Sequence, residues 1–559
     1  MSRQEIQLLK NFAGSHRLLL GLAFTAGTAA GFASLLIPLS IGKYYALALG
    51  TGSPRGKIFD MLPIEVSNLD TFFLFFGLVI LLYGIASYLA RQFADKAAET
   101  FVKELREKLF ARQLRQPLDK VFRRPVGRYL LRYSGDMGSI KRLMSRGMIG
   151  MVKDIILLMM GIVLLIYLNL ALSMLILGLT SFFMIVFWII NHMLLPGVNR
   201  LRSIRSSNLA FVGSRFEALM TIKMAGREGV EVKKFEKRSD KMFQQAMFLL
   251  RRENLQRAMV PFLLYGLLMG VLFYGSVLLK QENTDLDGAS LLVFIMFLIT
   301  IIPPIRRLLY VRRHWRDGML SLSKVMKVFQ EDEDIQKKQL SRINTLHVDI
   351  HPFNLDFDNG KVLHFHGLSL KQGVISFLKG PSGSGKTLLL SMLAGLKKAP
   401  QGSIMINGTD ASTLSLESLR SKVSLFSSEA PLLGNTIAGV LGNPRGQRED
   451  QARERIQYFG MHLSVDDSLK IDIGSGGYHL SSGEQNILKL VRMLINPRPL
   501  MLLDDPFSKL DKQNVHKLLA LLDDIKDEHC ILLAVRDDIS PTISADSIDQ
   551  HGAAVSLTY

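Results

Sequence analysis

The sequence predicts an all-α membrane domain of six helices with long cytoplasmic extensions, followed by an α/β domain of the P-loop type. Three observations carry this reading. Six apolar runs of membrane-spanning length lie within the first 310 of the 559 residues. The basic excess sits in the same half: from residue 341 onward there are 22 Lys and Arg against 24 Asp and Glu, so the net charge of +19 belongs to the first part. Finally, Gly380-Pro381-Ser382-Gly383-Ser384-Gly385-Lys386-Thr387 matches G-x-x-x-x-G-K-[ST] at every fixed position.

The elements follow in order. Residues 1–17 form a short polar lead, expected on the cytoplasmic side, and the first apolar run is too long for a cleavable signal. Spans are expected near Leu18–Ile41, Thr71–Arg91, Ile149–Leu168, Leu170–Leu194, Met259–Leu279 and Ser290–Ile305. The third and fourth are joined only by Asn169 and its neighbours, which implies a tight hairpin. Long basic segments at about 92–145 and 195–257 alternate with a short acidic loop at 281–287, so both segments and both termini belong in the cytoplasm. This distribution marks cytoplasmic loops, and no nucleic-acid partner is expected. Apolar residues recur at helical spacing through Phe101–Phe110 and Phe235–Leu250, so the spans continue as helices outside the membrane. Each segment has a break suited to a short transverse helix, at Pro125-Val126-Gly127-Arg128 and around Ser214–Leu219. Pro303-Pro304 should break or kink the sixth span, which continues as helix to about Glu331. The membrane part is placed at 1–335 and the second domain at 336–559. In that domain apolar runs at 374–379, 423–426, 500–503 and 530–535 read as strands alternating with helices. The single cysteine, Cys530, lies in one of them and reads as a buried structural thiol.

The chemistry is concentrated at the ends of these strands. Gly380, Gly383 and Gly385, with Ser382 and Ser384, let successive N–H groups turn inward as an anion nest at a helix N-terminus. Lys386 then reaches the β- and γ-phosphates of a nucleoside triphosphate, and the Thr387 hydroxyl ligates Mg²⁺. Leu500–Leu503 ends in Asp504-Asp505: Asp504 is expected to hold Mg²⁺ through water, and Asp505 stands where a general base would polarise the attacking water. Some twenty residues upstream, Leu480-Ser481-Ser482-Gly483-Glu484-Gln485 is a Gly/Ser turn opening a helix.

P-loop, an LSGGQ-like signature, a carboxylate-ended strand and Ser508-Lys509-Leu510-Asp511 occur in the order of the ATP-binding cassette (ABC) family. With six spans and long extensions before the cassette, the chain resembles a half-size ABC exporter over nearly its whole length. Thr221-Ile222-Lys223, Leu433-Gly434-Asn435-Thr436-Ile437 and Ile473-Gly474-Ser475-Gly476-Gly477 add to the resemblance. It implies ATP and Mg²⁺ as cofactors and two cassettes that sandwich two ATP molecules. Ser481, Ser482, Gly483 and Glu484 would then serve the ATP of the opposing subunit. Phe357 fits the aromatic that stacks on adenine, or is an ordinary strand aromatic.

Three positions depart from the family pattern, all in the hydrolytic machinery. Ser428 stands where the Q-loop glutamine belongs, Asp505 replaces the catalytic glutamate, and Arg536 aligns with the switch histidine. A carboxylate one methylene shorter sits roughly 1–1.5 Å further from the water, a displacement that can cost about 10²-fold. The resemblance therefore implies an exporter half in the cytoplasmic (inner) membrane that binds ATP well and hydrolyses it slowly. A heterodimer with a second half-transporter is favoured over a homodimer. The alternative is a membrane-anchored ATP-gated regulator or channel. Arg306 and Arg307 are expected to line an inward-facing cavity that favours an anionic or amphipathic substrate, or else to reach lipid headgroups. Whether the substrate is amphipathic, lipid or peptide is not written in the sequence.

Overall fold

The computed structural model describes residues 3–49, 68–116, 129–130, 132–280, 288–330, 346–356, 362–461, 468–536 and 554–556. The chain divides into two compact units, Met1–Leu114 with Arg124–Glu331, and Asp332–Tyr559 with Arg115–Arg123.

The first unit is helical. The polar lead is itself a helix, α1 (Arg3–Ser15), which buries Leu9 and Phe12, the latter edge-on to Phe101 at 5.0 Å. Then come α2 (Arg17–Leu49), α3 (Leu69–Leu114), a π-helical turn Arg132–Asp136, α4 (Met137–Arg142) and a second π segment Leu143–Ile149. Four further long or linking helices follow it, α5 (Gly150–Leu168), α6 (Leu170–Glu217), α7 (Leu219–Met224) and α8 (Glu228–Leu279), before α9 (Gly288–Gln330). At 1.5 Å per residue the 46 residues of α3 span about 70 Å and the 52 of α8 about 78 Å, more than twice the roughly 30 Å hydrocarbon core. Such helices must leave the bilayer. Among the described residues, four helical stretches carry an apolar window long enough to cross a membrane: Arg17–Tyr45, Leu69–Leu114, Arg132–Leu168 and Leu291–Gln330. In α6 and α8 the corresponding apolar stretches are Leu170–Phe183 and Tyr265–Leu279.

Burial separates two layers. Leu35, Phe72, Val79, Leu172, Val271, Phe294 and Phe297 form one core, while Phe101, Leu105, Leu109, Ile140, Leu322 and Val325 form another further along the same helices. Outside the first core α3 presents Phe73, Leu74, Leu78 and Leu81 outward, as a lipid-facing surface does. Asn169 alone links α5 to α6: its extended backbone turns the chain and its side chain accepts from Leu172 N–H at 3.0 Å, capping α6. The transverse break at 125–128 lies outside the described residues. The second appears as α7, which follows Ala218 directly.

Of the expected break or kink, the break is corrected: α9 is one continuous helix through Pro303 and Pro304. Helices packed among other apolar helices tolerate the two missing donors because neighbouring groups re-satisfy the freed carbonyls.

The second unit is built on a parallel sheet, β5 (Ile375–Lys379), β8 (Val423–Ser427), β9 (Leu500–Asp504), β10 (Cys530–Ala534) and β11 (Ala554–Ser556), in spatial order β11-β5-β10-β9-β8. The four runs expected as strands are all in it. Helices α10 (Lys386–Leu393), α11 (Leu416–Lys422), α12 (Ile437–Leu441), α13 (Gln447–Tyr458), α14 (Ser482–Leu494) and α15 (Lys512–Ile525) belong to the same unit. A smaller antiparallel sheet of β1 (Val348–Ile350), β4 (Leu368–Leu370), β6 (Ile404–Ile406) and β7 (Thr409–Asp410), plus the hairpin β2 (Phe353–Asp356)–β3 (Val362–Phe365), was not expected from the sequence. Cys530 is fully buried and burial pushes its thiol up to about 11, as expected of a structural cysteine.

A Cβ at Gly318 would overlap Leu143, whereas one at Gly14 meets nothing within 4 Å. Gly318→Val should therefore destabilise the detergent-solubilised protein by about 1–3 kcal/mol. Gly14→Ala should leave the melting temperature unchanged or slightly raised in the same thermal scan.

Candidate nucleotide site

Parallel register builds the site. Ser427 pairs with Asp504, Asp504 with Ala534, and Ala534 with Leu378. The residues that follow, at the ends of β8, β9, β10 and β5, therefore emerge along one edge of the sheet, where open α/β folds bind ligands.

After β5 the loop turns on Gly383 and Gly385, whose φ values of 86° and 96° a side chain would resist. Gly385 caps α10, and a Cβ there would come within 2.9 Å of the Phe365 ring. The Lys386 ammonium folds back over the loop, donating to the carbonyls of Gly380 and Pro381 and to Ser384 Oγ. Ser382 lies in the turn and Ser384 is buried beneath it. The Thr387 hydroxyl donates to Asp504 Oδ1 at 3.0 Å. These two hard oxygens fit a magnesium ion, which takes its remaining ligands from phosphate and water. Burial raises the Asp504 carboxyl above its ordinary range; the Thr387 hydrogen bond opposes this, Asp505 and Glu429 add to it, and Lys386 opposes it.

Asp505 leaves the strand with φ of 51°, its N–H bonded to Ala534 O. Its Oδ2 lies 3.1 Å from an Arg536 guanidinium nitrogen, while Oδ1 is buried with no hydrogen-bond partner. Ser428 is buried at the end of β8, and its carbonyl accepts from Lys489 Nζ at 2.8 Å and Lys509 Nζ at 3.3 Å. Burial, then the nearby Lys509 charge, lowers the Lys489 ammonium below its ordinary range. Ser481 and Glu484 form a capping box at the start of α14: Ser481 N–H and Oγ donate to Glu484 Oε2, and Glu484 N–H donates to Ser481 Oγ. Ser482 and Gly483 are its first helical residues, and a Cβ on Gly483 would sit 3.3 Å from Lys509 O. Phe357 lies outside the described residues.

A family model described as the ABC transporter transmembrane region matches residues 20–305, and a second, described as ABC transporter, matches 363–508. The chain belongs to the ABC transporters. It is similar to ATP-dependent lipid A-core flippases of Desulfotalea psychrophila (22% identical, covering 88% of each chain) and Shigella flexneri (23%, covering 84% of this chain and 82% of the relative). The same holds for the flippase of Nitrosococcus oceani (22%, covering 94% and 86%). A bacterial Atm1-family ABC exporter solved with ATP bound shares its fold, with a TM-score of 0.77 at 16% identity over 98% of this chain and 94% of that one. One transmembrane domain fused to one cassette is the architecture of a half-size ABC exporter, an ATP-hydrolysing transporter.

In this ABC transporter the sequence reading had not singled out Lys489 and Lys509 as site residues. A signal existed for Lys489: it is a charged residue among buried Ile487, Leu488, Leu490 and Val491. Its acceptor is a backbone carbonyl, which no side-chain pattern announces.

A raised carboxyl holds its proton more tightly in the folded than in the unfolded chain. The nucleotide-free protein thus loses stability as pH rises through the folded value of Asp504. Asp504→Asn removes that loss, so its melting temperature relative to the parent should climb as pH rises above the ordinary carboxylate range. In the presence of Mg²⁺ the same variant, like Lys386→Ala, should bind a fluorescent ATP analogue at least about tenfold more weakly.

Proposed function

We propose that this chain is one half of a dimeric ABC exporter of the inner membrane that moves a lipid with an anionic headgroup, using ATP and Mg²⁺. Residues 1–335 supply six spans and residues 336–559 the cassette, with Thr387 and Asp504 on the metal. ATP closes the cassettes, closure switches the membrane cavity from inward to outward access, and hydrolysis resets it.

One observation carries the substrate class. The transmembrane unit holds a cavity of about 540 Å³ lined by Arg91, Arg146, Lys153, Arg306 and Arg307 against only two carboxylates, Asp95 and Asp154. Arg307 grips Asp154 in a bidentate pair at 2.6 and 2.8 Å, so it is spent on structure. The net positive charge rests with the other cations, Arg306 among them. A second, apolar cavity of about 360 Å³ is lined by Leu158, Ile162 and Leu165 further along α5 and by Ile301 and Ile305 on α9. A cationic chamber and an apolar slot on the same two helices match an anionic head and its acyl chain. The lipid A-core flippase relatives agree with this class.

The proposal extends to asymmetry: the chain's own ATP site is the slow one, and a second half-transporter supplies the fast one. The short carboxylate of Asp505, paired with Arg536, supports that reading. The purified protein in lipid should show low ATPase activity, and Asp505→Glu should raise it by about tenfold or more. Rapid Lys386-dependent activity of the unaltered chain alone would replace the asymmetric pair with a working homodimer. For the substrate, Arg306→Glu combined with Arg146→Glu should abolish ATP-dependent movement of a fluorescent anionic lipid in proteoliposomes. Unchanged movement would dismiss the cationic cavity as the headgroup site.

A further inference from the structure

We infer that the apolar slot between α5, α6 and α9 binds a free fatty-acid anion with its carboxylate on Arg312. This occupant competes with the acyl chain of the transported lipid. The inference rests on the proposed use of the slot by that lipid and adds a means of regulating it. Free fatty acid, the product of ester hydrolysis in a bilayer, then restrains transport.

The shape of the slot selects a single chain. On α9 its lining positions Leu298, Ile301, Ile305, Leu308 and Arg312 recur at helical spacing, so they form one stripe along the helix. From Leu298 to Arg312 that stripe rises about 21 Å at 1.5 Å per residue, more than half of the roughly 30 Å hydrocarbon core. Leu158 and Leu165 of α5 and Ile176 of α6 close the sides. The volume of about 360 Å³ is small for so long a cavity and leaves no room for two chains side by side.

Charge selects the head. Arg312 is the last α9 residue in the lining and exposed, and no carboxylate lines the slot. On the same helix Arg307, Arg313 and Arg316 are each paired, with Asp154, Glu253 and Asp317 respectively. Arg312 has no such partner among the described residues. The only other polar side chains of the lining are the hydroxyls of Thr180 and Ser181. One guanidinium fork at the end of an apolar slot suits one planar carboxylate, which it meets with two parallel hydrogen bonds. Arg306 and Arg307 line the cationic chamber instead, so α9 carries a separate cation for each cavity.

The test uses the full-length protein in nanodiscs of zwitterionic phosphatidylcholine, with a diazirine-bearing long-chain fatty acid as the probe. After photolysis, label should fall on peptides covering 158–165, 176–181 and 298–309. Unlabelled fatty acid should displace the probe about tenfold more readily than its uncharged methyl ester does. Arg312→Gln should weaken labelling by about tenfold. Arg312→Lys should weaken it less, because an ammonium keeps the charge and loses the fork. Ile162→Trp fills the slot and should abolish labelling with Arg312 in place. In proteoliposomes the fatty acid should inhibit ATP-dependent movement of the fluorescent anionic lipid. Half-inhibition of Arg312→Gln should need about tenfold more fatty acid.

Equal displacement by acid and ester overturns the inference and leaves Arg312 reaching lipid headgroups. Label outside the slot overturns it too, as does full labelling of Arg312→Gln or Ile162→Trp. Slot labelling without inhibition of transport removes the competition, where Arg306→Glu with Arg146→Glu has abolished that transport. If that double variant moves lipid normally, the headgroup site falls instead, and slot labelling still decides the fatty-acid site.

Discussion

In-register parallel pairing of β5, β10, β9 and β8 is the constraint on which the cassette depends. A slip of one residue in β9 would exchange Asp504 and Asp505 between the faces of the sheet. Asp504 would lose the Thr387 hydroxyl, and Asp505 would lose Arg536. Register is held by burial on both faces: Leu500, Met501, Leu502 and Leu503 are each fully enclosed, shared between two separate cores. The polar chemistry at the strand ends is thus aimed by apolar packing several residues away.

The transmembrane unit solves a related problem with charge. Three of its buried carboxylates among the described residues, Asp136, Asp154 and Glu253, each meet an arginine from another helix, Arg202, Arg307 and Arg313 respectively. Ser321 adds a hydrogen bond to Asp136. Removing one member of such a pair strands the other, so these links fix helix register more than they add stability. The π segment before α5 is anchored in the same spirit, its Gly147 carbonyl accepting from Trp315 Nε1 at 2.8 Å.

Much of this was legible because it is written in local pattern. Long apolar runs announced the membrane helices, and apolar stretches ending in Gly or Asp announced β5 and β9. What was not legible depends on partners distant in sequence. The strands of the antiparallel sheet are two or three residues long, too short for alternation to show. The π segments carry no compositional mark. Arg307 lines the cavity as its sequence position suggests, but its pairing with Asp154, 153 residues away, has no local signal. The Asp505–Arg536 pair, both members of which the sequence had singled out separately, exists only because β9 and β10 are neighbours in register.

The single-residue link at Asn169 has a consequence for how the two helices can move. With no loop between them, α5 and α6 have no slack at that end, so a shift of one is passed directly to the other. The capped, one-residue turn also leaves a protease almost no extended backbone to seize at that end of the pair.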